Sequence, residues 1–301
     1  MTVPHDDPFT PHDRHPDESG SPGTGPGIRR FAPIPDDWVP LSSHALKLRV
    51  GARNLDPAQW VSARDADWPA TLAMKRRLVA ERPTEVVACL AGAEEACEEA
   101  AAGVLQSVGE PLSMSTGIDA LVDAALSVAD DLCIMQEGAD GVPLLTAAVL
   151  CSPNRWRLAD KIGGTMAAIH SPVARYATDL QSPVDAVMRR LSPDRPVWRV
   201  NWGLSNHAAL FQPVAPPVTP DMDPGSLWFR VEWQTLRRLP VTGAVLFTIR
   251  THVERLSDFV LRPRPVVHEF AEHILFLEEK VAVYKGIAPY RFSVYEYLSA
   301  R

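Results

Sequence analysis

Histidine side chains are the groups in this chain best suited to binding a metal, because a neutral imidazole is the commonest protein ligand for transition metals. Among the nine histidines, His170 follows the apolar run Met166–Ile169 and precedes Pro172, so its ring is expected in a well-defined turn. On pattern alone it is either a structural histidine, the commoner outcome, or a metal ligand. Six other histidines are less well placed to bind a metal, because they lie in the N-terminal segment, in loops or at the expected surface end of a strand: His5, His12, His15, His44, His207 and His252.

The segment 268–273 has two pairs at helical i,i+4 spacing, His268 with Glu272 and Glu269 with His273. The two histidines are five residues apart, so they point about 140° away from each other on an α-helix. The histidines of an H-E-x-x-H zinc site are four apart and share one helix face. The pattern therefore predicts a solvated helix face rather than a zinc site.

Strand alternation predicts a second group of polar side chains. Along a strand, Arg230, Glu232 and Gln234 share one face, while Val231 and Trp233 share the other. A buried Arg–Glu pair is costly without a partner or ligand. The two alternatives are a polar ligand pocket and an exposed ladder of charges.

Composition excludes several classes of protein. A hydrophobic fraction of 46% allows a substantial core, and the net charge of −7 disfavours binding to nucleic acid, which needs a concentrated basic surface. No apolar run reaches the roughly 20 residues of a membrane span, and the N-terminus lacks the pattern of a signal peptide, so we expect a cytoplasmic protein. The cysteines form no C-x-x-C pair and are expected to be reduced core thiols: Cys89, Cys97, Cys133 and Cys151.

The elements that must position these residues follow from periodicity. Residues 1–27 are rich in Pro, Gly, Asp and His, which predicts a disordered tail before a single domain, 28–301. Helical spacing covers 68–81 and an Ala/Glu-rich stretch ending at 108, short helices are expected over 156–191, and one amphipathic helix is expected over 264–283. Strand patterns cover 131–135, 144–150, 197–203, 227–236 and 243–252. Two strands, several short helices and three strands is the order of a PAS-like sheet, here about 128–256.

Five segments resemble one protein family in both order and spacing. They are Asp131-Leu132-Cys133, Ser152-Pro153-Asn154-Arg155-Trp156 with Lys161 and Gly163, Ile169-His170-Ser171-Pro172-Val173, Trp198-Arg199-Val200-Asn201-Trp202, and Arg230 to Pro240 continuing through Phe247-Thr248-Ile249-Arg250-Thr251. The chain is similar in these segments to the alpha subunits of haem-dependent oxidative N-demethylase, formerly known only as a domain of unknown function, DUF3445.

The resemblance implies a mixed α/β protein with a haem b pocket in a PAS-like antiparallel sheet, flanked by helices. It implies oxidation of an N-methyl group of a small secondary amine, such as dimethylamine, by O2 with release of formaldehyde. Because the chain has no nicotinamide fingerprint and no iron–sulfur cysteines, another protein would have to deliver the electrons. The resemblance implies separate reductase subunits that carry flavin and an iron–sulfur cluster and take electrons from NAD(P)H. The runner-up function is a non-catalytic PAS-like haem or small-ligand sensor, and a third is a haem-free scaffold subunit.

With a haem implied, His170 becomes the candidate iron ligand, Glu232 the candidate partner of a substrate ammonium, and Asn201 a polar group of the pocket. Trp233 and Tyr176 are the candidate lining of the substrate pocket. Arginine presents a planar fork that suits a carboxylate. The basic residues expected to bind the haem propionates are Arg155, Lys161, Arg199, Arg230, Arg237, Arg238 and Arg250.

One position departs from the family pattern. The family reads Glu-Arg-Gln where this chain reads Glu232-Trp233-Gln234. An indole there either offers a cation–π face to an alkylammonium, worth about 0.5–2 kcal/mol, or packs on the outer side of the sheet.

Overall fold

The computed structural model describes residues 34–40, 50–62, 64–171, 173, 176–218 and 221–300. Every described residue belongs to one compact unit, 31–301. Among the described residues, no helix has the length and apolar content needed to cross a bilayer. The predictions that lie outside the described residues concern the tail 1–27 and the residues His5, His12, His15, His44 and Pro172.

A seven-stranded antiparallel sheet forms the centre of the described fold. Its strands are β1 (Arg53–Asn54), β2 (Val87–Cys89), β3 (Asp131–Glu137), β4 (Pro143–Val149), β5 (Val197–Ser205), β6 (Trp228–Arg238) and β7 (Val245–Arg255). They lie in the order β1-β5-β6-β7-β3-β4-β2. The five long strands are the predicted ones, whereas β1 and β2 are too short to show a period-2 pattern.

Helices lie before, between and after these strands, which confirms the mixed α/β class. They are α1 (Trp68–Glu81), α2 (Pro83–Val86), α3 (Glu94–Val108), α4 (Gly117–Ala125), α5 (Met166–Ile169), α6 (Gln181–Arg190), α7 (Leu256–Phe259), α8 (Arg264–Phe276), α9 (Glu279–Tyr284) and α10 (Arg291–Ser299). A π-helical turn, Tyr176–Leu180, leads directly into α6.

The prediction of one helix over 264–283 is wrong. Helix α8 ends at Phe276, two residues with extended ψ angles follow, and α9 begins at Glu279. The periodic apolar residues Phe270, Ile274, Leu277 and Val281 are nevertheless all buried in one core. Because apolar spacing reports burial, it does not distinguish one helix from two that share a core.

The two faces of the sheet differ in what covers them. The front face carries Asn201, Glu232 and Thr251, which are cross-strand partners, and the back face carries Trp202 and Val231. Two apolar cores lie on the back face, one against α3 and α4 and one against α8 and α10. A third apolar core, on the β3–β4–β7 part of the front face, packs against α6.

Candidate functional site

A buried carboxylate, Glu232, lies at the centre of a polar cluster on the front face. Its Oε2 accepts hydrogen bonds from Asn201 Nδ2 at 3.2 Å and Gln234 Nε2 at 2.9 Å, while Oε1 lies 3.7 Å from Arg230 Nε. Arg230 is 1% exposed and Glu232 is 7% exposed, so the alternative of an exposed ladder of charges is wrong. Because a carboxylate has about four acceptor positions, Oε1 retains capacity for a cationic ligand.

Arg199 lies two residues before Asn201 and shares its face of β5. Its Nε is buried and donates no hydrogen bond to any described residue. Burial lowers the pKa of Arg199, and Tyr284, Glu232 and Tyr176 oppose that change, but a guanidinium stays charged in proteins. A buried cation with an unused donor is suited to a carboxylate of a ligand.

His170 presents a ring nitrogen, Nε2, that has no hydrogen-bond partner among the described residues and could bind a metal. Its Nδ1 lies 2.8 Å from the carbonyl oxygen of Met166, and because that oxygen only accepts, Nδ1 is the donor and Nε2 carries the lone pair. Burial lowers the pKa of His170, and the charges of Arg199 and Lys161 lower it further. The ring stacks on Tyr176 with centroids 4.8 Å apart and planes 9° apart. The group is therefore a neutral, oriented imidazole.

The one-turn helix α5 sets the position of His170 because both of its ends are fixed. At its start, Thr165 Oγ1 accepts a hydrogen bond from the amide of Ala168 at 3.1 Å. At its end, Lys161 Nζ donates to the carbonyl of Ile169 at 2.6 Å. Lys161 thus supports the turn that carries His170 and adds a positive charge beside it.

Arg155 covers the edge of β5. It is a non-glycine residue with a positive φ of 63°, a conformation that side chains other than glycine adopt rarely. Its Nη2 donates to the carbonyl of Leu204 at 2.8 Å. A Cβ on Gly286 would lie 2.0 Å from the guanidinium, so the glycine is what allows Arg155 to lie flat against this turn.

Three of the arginines predicted to bind propionates instead donate hydrogen bonds to other groups of this chain. The groups they donate to are the carbonyls of Leu210 (3.1 Å) and Ser152 (2.6 Å) for Arg230, the carbonyls of Leu191 (3.0 Å), Gly243 (2.7 Å) and Met188 (2.9 Å) for Arg238, and both carboxylate oxygens of Asp65 (2.9 and 2.8 Å) for Arg250. Arg250 also lies on the back face, as does Arg237, whose guanidinium covers the ring of Trp60 at 4.9 Å. These side chains hold loops and strand ends, which leaves Arg199, Lys161 and Arg155 as the candidates for binding an anionic ligand.

Trp233 lies on the back face, away from Glu232. Its ring stacks on Trp38 with centroids 5.9 Å apart and planes 8° apart. His252 contacts the same Trp38 ring edge-on at 5.3 Å and is 7% exposed, so the expectation of a surface position for His252 is wrong. The structure thus separates Trp233 from the polar cluster, and packing on the other side of the sheet describes its position.

The two histidines of α8 do not converge. His268 is exposed and lies 3.7 Å from Glu272. His273 instead places its ring 5.4 Å from that of Trp202. Among the described residues, no three His, Cys, Asp or Glu side chains come together as a group that could hold a metal ion.

A cleft of about 250 Å³ opens beside α5 and α6. Its lining includes Met135, Met166, Asp185, Met188 and Arg238. Met166 also accepts the hydrogen bond that fixes the His170 ring. This cleft therefore adjoins the turn that carries His170.

Lys285 belongs to the cluster although the sequence patterns did not single it out. Its Nζ donates to the carbonyl of Trp202 at 2.7 Å and to Asn201 Oδ1 at 3.4 Å. In the sequence it reads as a basic residue followed by Gly286 at a helix end, a common C-terminal pattern. Only the packing of the turn after α9 against β5, some 80 residues earlier, gives it another meaning.

Comparison with known families bears on what this cluster binds. Residues 106–295 match the family described as haem-dependent oxidative N-demethylase, alpha subunit-like. The chain belongs to this family. The matched segment is well over half of the 301 residues and includes the whole cluster from Arg155 to Lys285. The family description indicates dependence on haem and a place in an assembly of more than one kind of subunit.

The cluster has the donor groups that a haem requires. Haem iron needs an axial ligand, and a neutral imidazole with one nitrogen held by a carbonyl is a typical one. His170 has this arrangement, and the buried Nε of Arg199 has no acceptor among the described residues, which suits a propionate. The residues present therefore fit a haem.

Proposed function

We propose that this protein is a haem-dependent oxidative N-demethylase that acts on a small N-methyl amine in a PAS-like pocket on the front face of the sheet. One observation carries the proposal beyond family membership. The same face holds a neutral imidazole, a buried cation with an unused donor and a buried carboxylate, at His170, Arg199 and Glu232. Each of the three is of the type needed for one part of this reaction.

His170 is the residue that would hold the haem iron, through Nε2. The hydrogen bond from Nδ1 to Met166 fixes the ring and raises its basicity as a ligand. When bound, the haem supplies O2 activation and oxidation of a carbon next to nitrogen, chemistry that no side chain provides. Stacking on Tyr176 restrains the ring in the same orientation.

Arg199, Lys161 and Arg155 are the proposed cations that hold the propionates. The Nε atoms of Arg199 and Arg155 are both buried and have no acceptor among the described residues. Lys161 and Arg155 each make one hydrogen bond to a backbone carbonyl and keep further donors.

Glu232 is the proposed partner of the substrate ammonium. Its Oε2 is held by Asn201 and Gln234, which orients the carboxylate, while Oε1 lies 3.7 Å from Arg230 Nε, within an ion pair but too far for a hydrogen bond. A substrate ammonium would donate a charge-assisted hydrogen bond to Oε1. Asn201 thus acts as a polar pocket group that positions the carboxylate.

The electron supply belongs to other chains in this proposal. Flavin and iron–sulfur reductase subunits would bring electrons from NAD(P)H, in line with membership of an alpha-subunit family.

The test is reconstitution followed by turnover. The purified chain is loaded with haem, its visible spectrum is recorded, and dimethylamine, a flavin/iron–sulfur reductase and NAD(P)H are added while formaldehyde is measured. A Soret band with formaldehyde release supports the proposal. A Soret band without release from any N-methyl amine favours a haem sensor, and no Soret band after reconstitution contradicts both.

A further inference from the structure

Lys285 lies beside the polar cluster but has no role in the reaction proposed above. It follows α9, and its backbone carbonyl accepts a hydrogen bond from the amide of Leu204 at 3.3 Å, on the edge of β5. A Cβ on Gly203 would lie 3.0 Å from the same carbonyl. The glycine therefore lets the turn approach the strand closely enough for Lys285 to reach the cluster.

The Lys285 side chain has two of its three donor positions filled. Its Nζ donates to the carbonyl of Trp202 and to Asn201 Oδ1, and the Trp202 ring lies 4.6 Å away. A lysine nitrogen has three positions besides its carbon. The third position carries a proton in the ammonium form and a lone pair in the amine form.

Asn201 connects Lys285 to the carboxylate. The amide accepts from Lys285 through Oδ1 and donates to Glu232 through Nδ2 at 3.2 Å. A cation held at Glu232 is thus one amide away from the Lys285 nitrogen.

We propose that Lys285 is the base that accepts the proton from the ammonium substrate held at Glu232, which rests on the proposed function. A substrate R2NH2⁺ and the Lys285 amine become R2NH and the Lys285 ammonium. One N–H bond breaks on the substrate and one forms on Nζ, and no electrons are exchanged between them. The amine then carries the nitrogen lone pair that its oxidation requires.

The electrostatics of the site determine how much of Lys285 is available as a free base. Alkylammonium groups have pKa values of about 10.4 in water, so a dialkylamine enters charged at neutral pH. Burial, together with the charge of Arg199 and against the opposing charge of Glu232, lowers the pKa of Lys285 to about 7. Other titratable or charged groups near this turn are Tyr284, beside it in sequence, Arg155, against Gly286, and His273, whose ring lies 5.4 Å from that of Trp202. A substantial fraction of Lys285 is thus a free amine near pH 7.

The first arm of the test needs no turnover. The full chain, loaded with haem, is labelled with traces of acetic anhydride across pH, and the extents at Lys285 and at the exposed Lys280 are compared by mass spectrometry. We expect the Lys285 profile to have its midpoint near pH 7 and dimethylamine to protect this residue. Parallel profiles at the two lysines, or no protection, would overturn the proposal.

The second arm compares two substrates that differ in basicity. Dimethylamine is charged near neutral pH, whereas the electron-withdrawing group of N-methyl-2,2,2-trifluoroethylamine leaves much of it uncharged. We expect Lys285→Met to lower kcat/KM for dimethylamine about 100-fold, the low end of general-base effects, and to change the fluorinated amine by less than about 3-fold. Lys285→Arg keeps the donors but does not give up its proton, so it should behave like Lys285→Met.

Lys280→Met, at the exposed second residue of α9, is the matched control and should leave turnover of both substrates unaffected. Equal losses on both amines in Lys285→Met and Lys285→Arg would show a structural role and overturn the proposal. No formaldehyde from either amine with the unmodified protein would instead mean that the proposed function has failed, and this proposal with it.

Discussion

The two faces of strands β5 and β6 are built from alternate residues of the same chain segments, yet one buries apolar side chains and the other buries polar and charged ones. On the back face, Trp202, Phe229 and Val231 pack against α8, with the rings of Phe229 and Phe270 4.9 Å apart. This burial contributes about 25 cal/mol per Å² of apolar surface. The front face buries Glu232 and its neighbours, which costs free energy unless a partner compensates. The contrast is the one we expect if the back face supports the fold and the front face binds a ligand.

Within the front face, Arg230 and Arg199 differ in the same way, one supporting the fold and the other available to a ligand. Arg230 donates to the carbonyls of Ser152 and Leu210, so it ties two loops to the sheet. The Nε atoms of both arginines are buried and have no acceptor among the described residues, but the Nη groups of Arg230 are bound to loop carbonyls. We therefore expect Arg230 to act as a structural cation and propose Arg199 as the cation that binds a ligand.

The largest effect should follow from breaking the structural cation. Arg230→Met leaves the carbonyls of Ser152 and Leu210 without this donor and Glu232 without its nearest cation. We expect a loss of about 3–5 kcal/mol in the free energy of unfolding, typical of removing one partner of a buried ion pair. Urea denaturation measures it, with Arg189→Met on the exposed side of α6 as control. A loss below about 1 kcal/mol would contradict a structural role for Arg230.

A smaller, pH-dependent effect is expected at Asp131, whose carboxylate accepts the amides of Cys151 and Ser152. Burial raises the pKa of Asp131 from 3.8 to about 6, so the folded protein binds this proton more tightly than the unfolded chain. Its contribution to stability is therefore full below about pH 3.8 and is lost as pH rises through about 6, a change of up to about 3 kcal/mol.

Comparison with Asp131→Asn isolates this term. The difference in unfolding free energy between the two proteins should shift in favour of the variant as pH rises over that window. A difference that is constant with pH, or one that shifts the other way, would contradict the assignment.

Glu232→Gln tests the ligand side of the comparison. Gln keeps a hydrogen-bonding oxygen but removes the charge that binds an ammonium, so KM for dimethylamine should rise about 10–100-fold, or about 1.4–2.7 kcal/mol. The haem spectrum should be unchanged. Steady-state kinetics provide the measurement, and an unchanged KM would place the substrate elsewhere.

The smallest effect is expected on the back face. Trp233→Phe weakens the stack on Trp38 and should cost about 1 kcal/mol of stability. KM for the amine should stay within about 2-fold of its original value. A tenfold rise in KM would revive a cation–π role for Trp233 in substrate binding.

Much of this arrangement could be read from periodicity, and the remainder could not. The alternation of Arg230, Glu232 and Gln234 placed them on one face because strand side chains repeat every two residues. It could not show that the Nη groups of Arg230 donate to loop carbonyls, or that the Nε of Arg199 is buried without an acceptor among the described residues. Those partners, like the approach of Lys285 to β5, depend on contacts between segments far apart in sequence.

We propose that His170 holds haem on the front face of the sheet. The test is a titration with haem, followed by visible spectra, of the unmodified chain, His170→Ala and the exposed-site control His268→Ala. We expect a Soret band of the same position in the unmodified protein and His268→Ala, and a lost or shifted band with weaker haem binding in His170→Ala. The same spectrum and affinity in all three proteins would show that the iron ligand lies elsewhere.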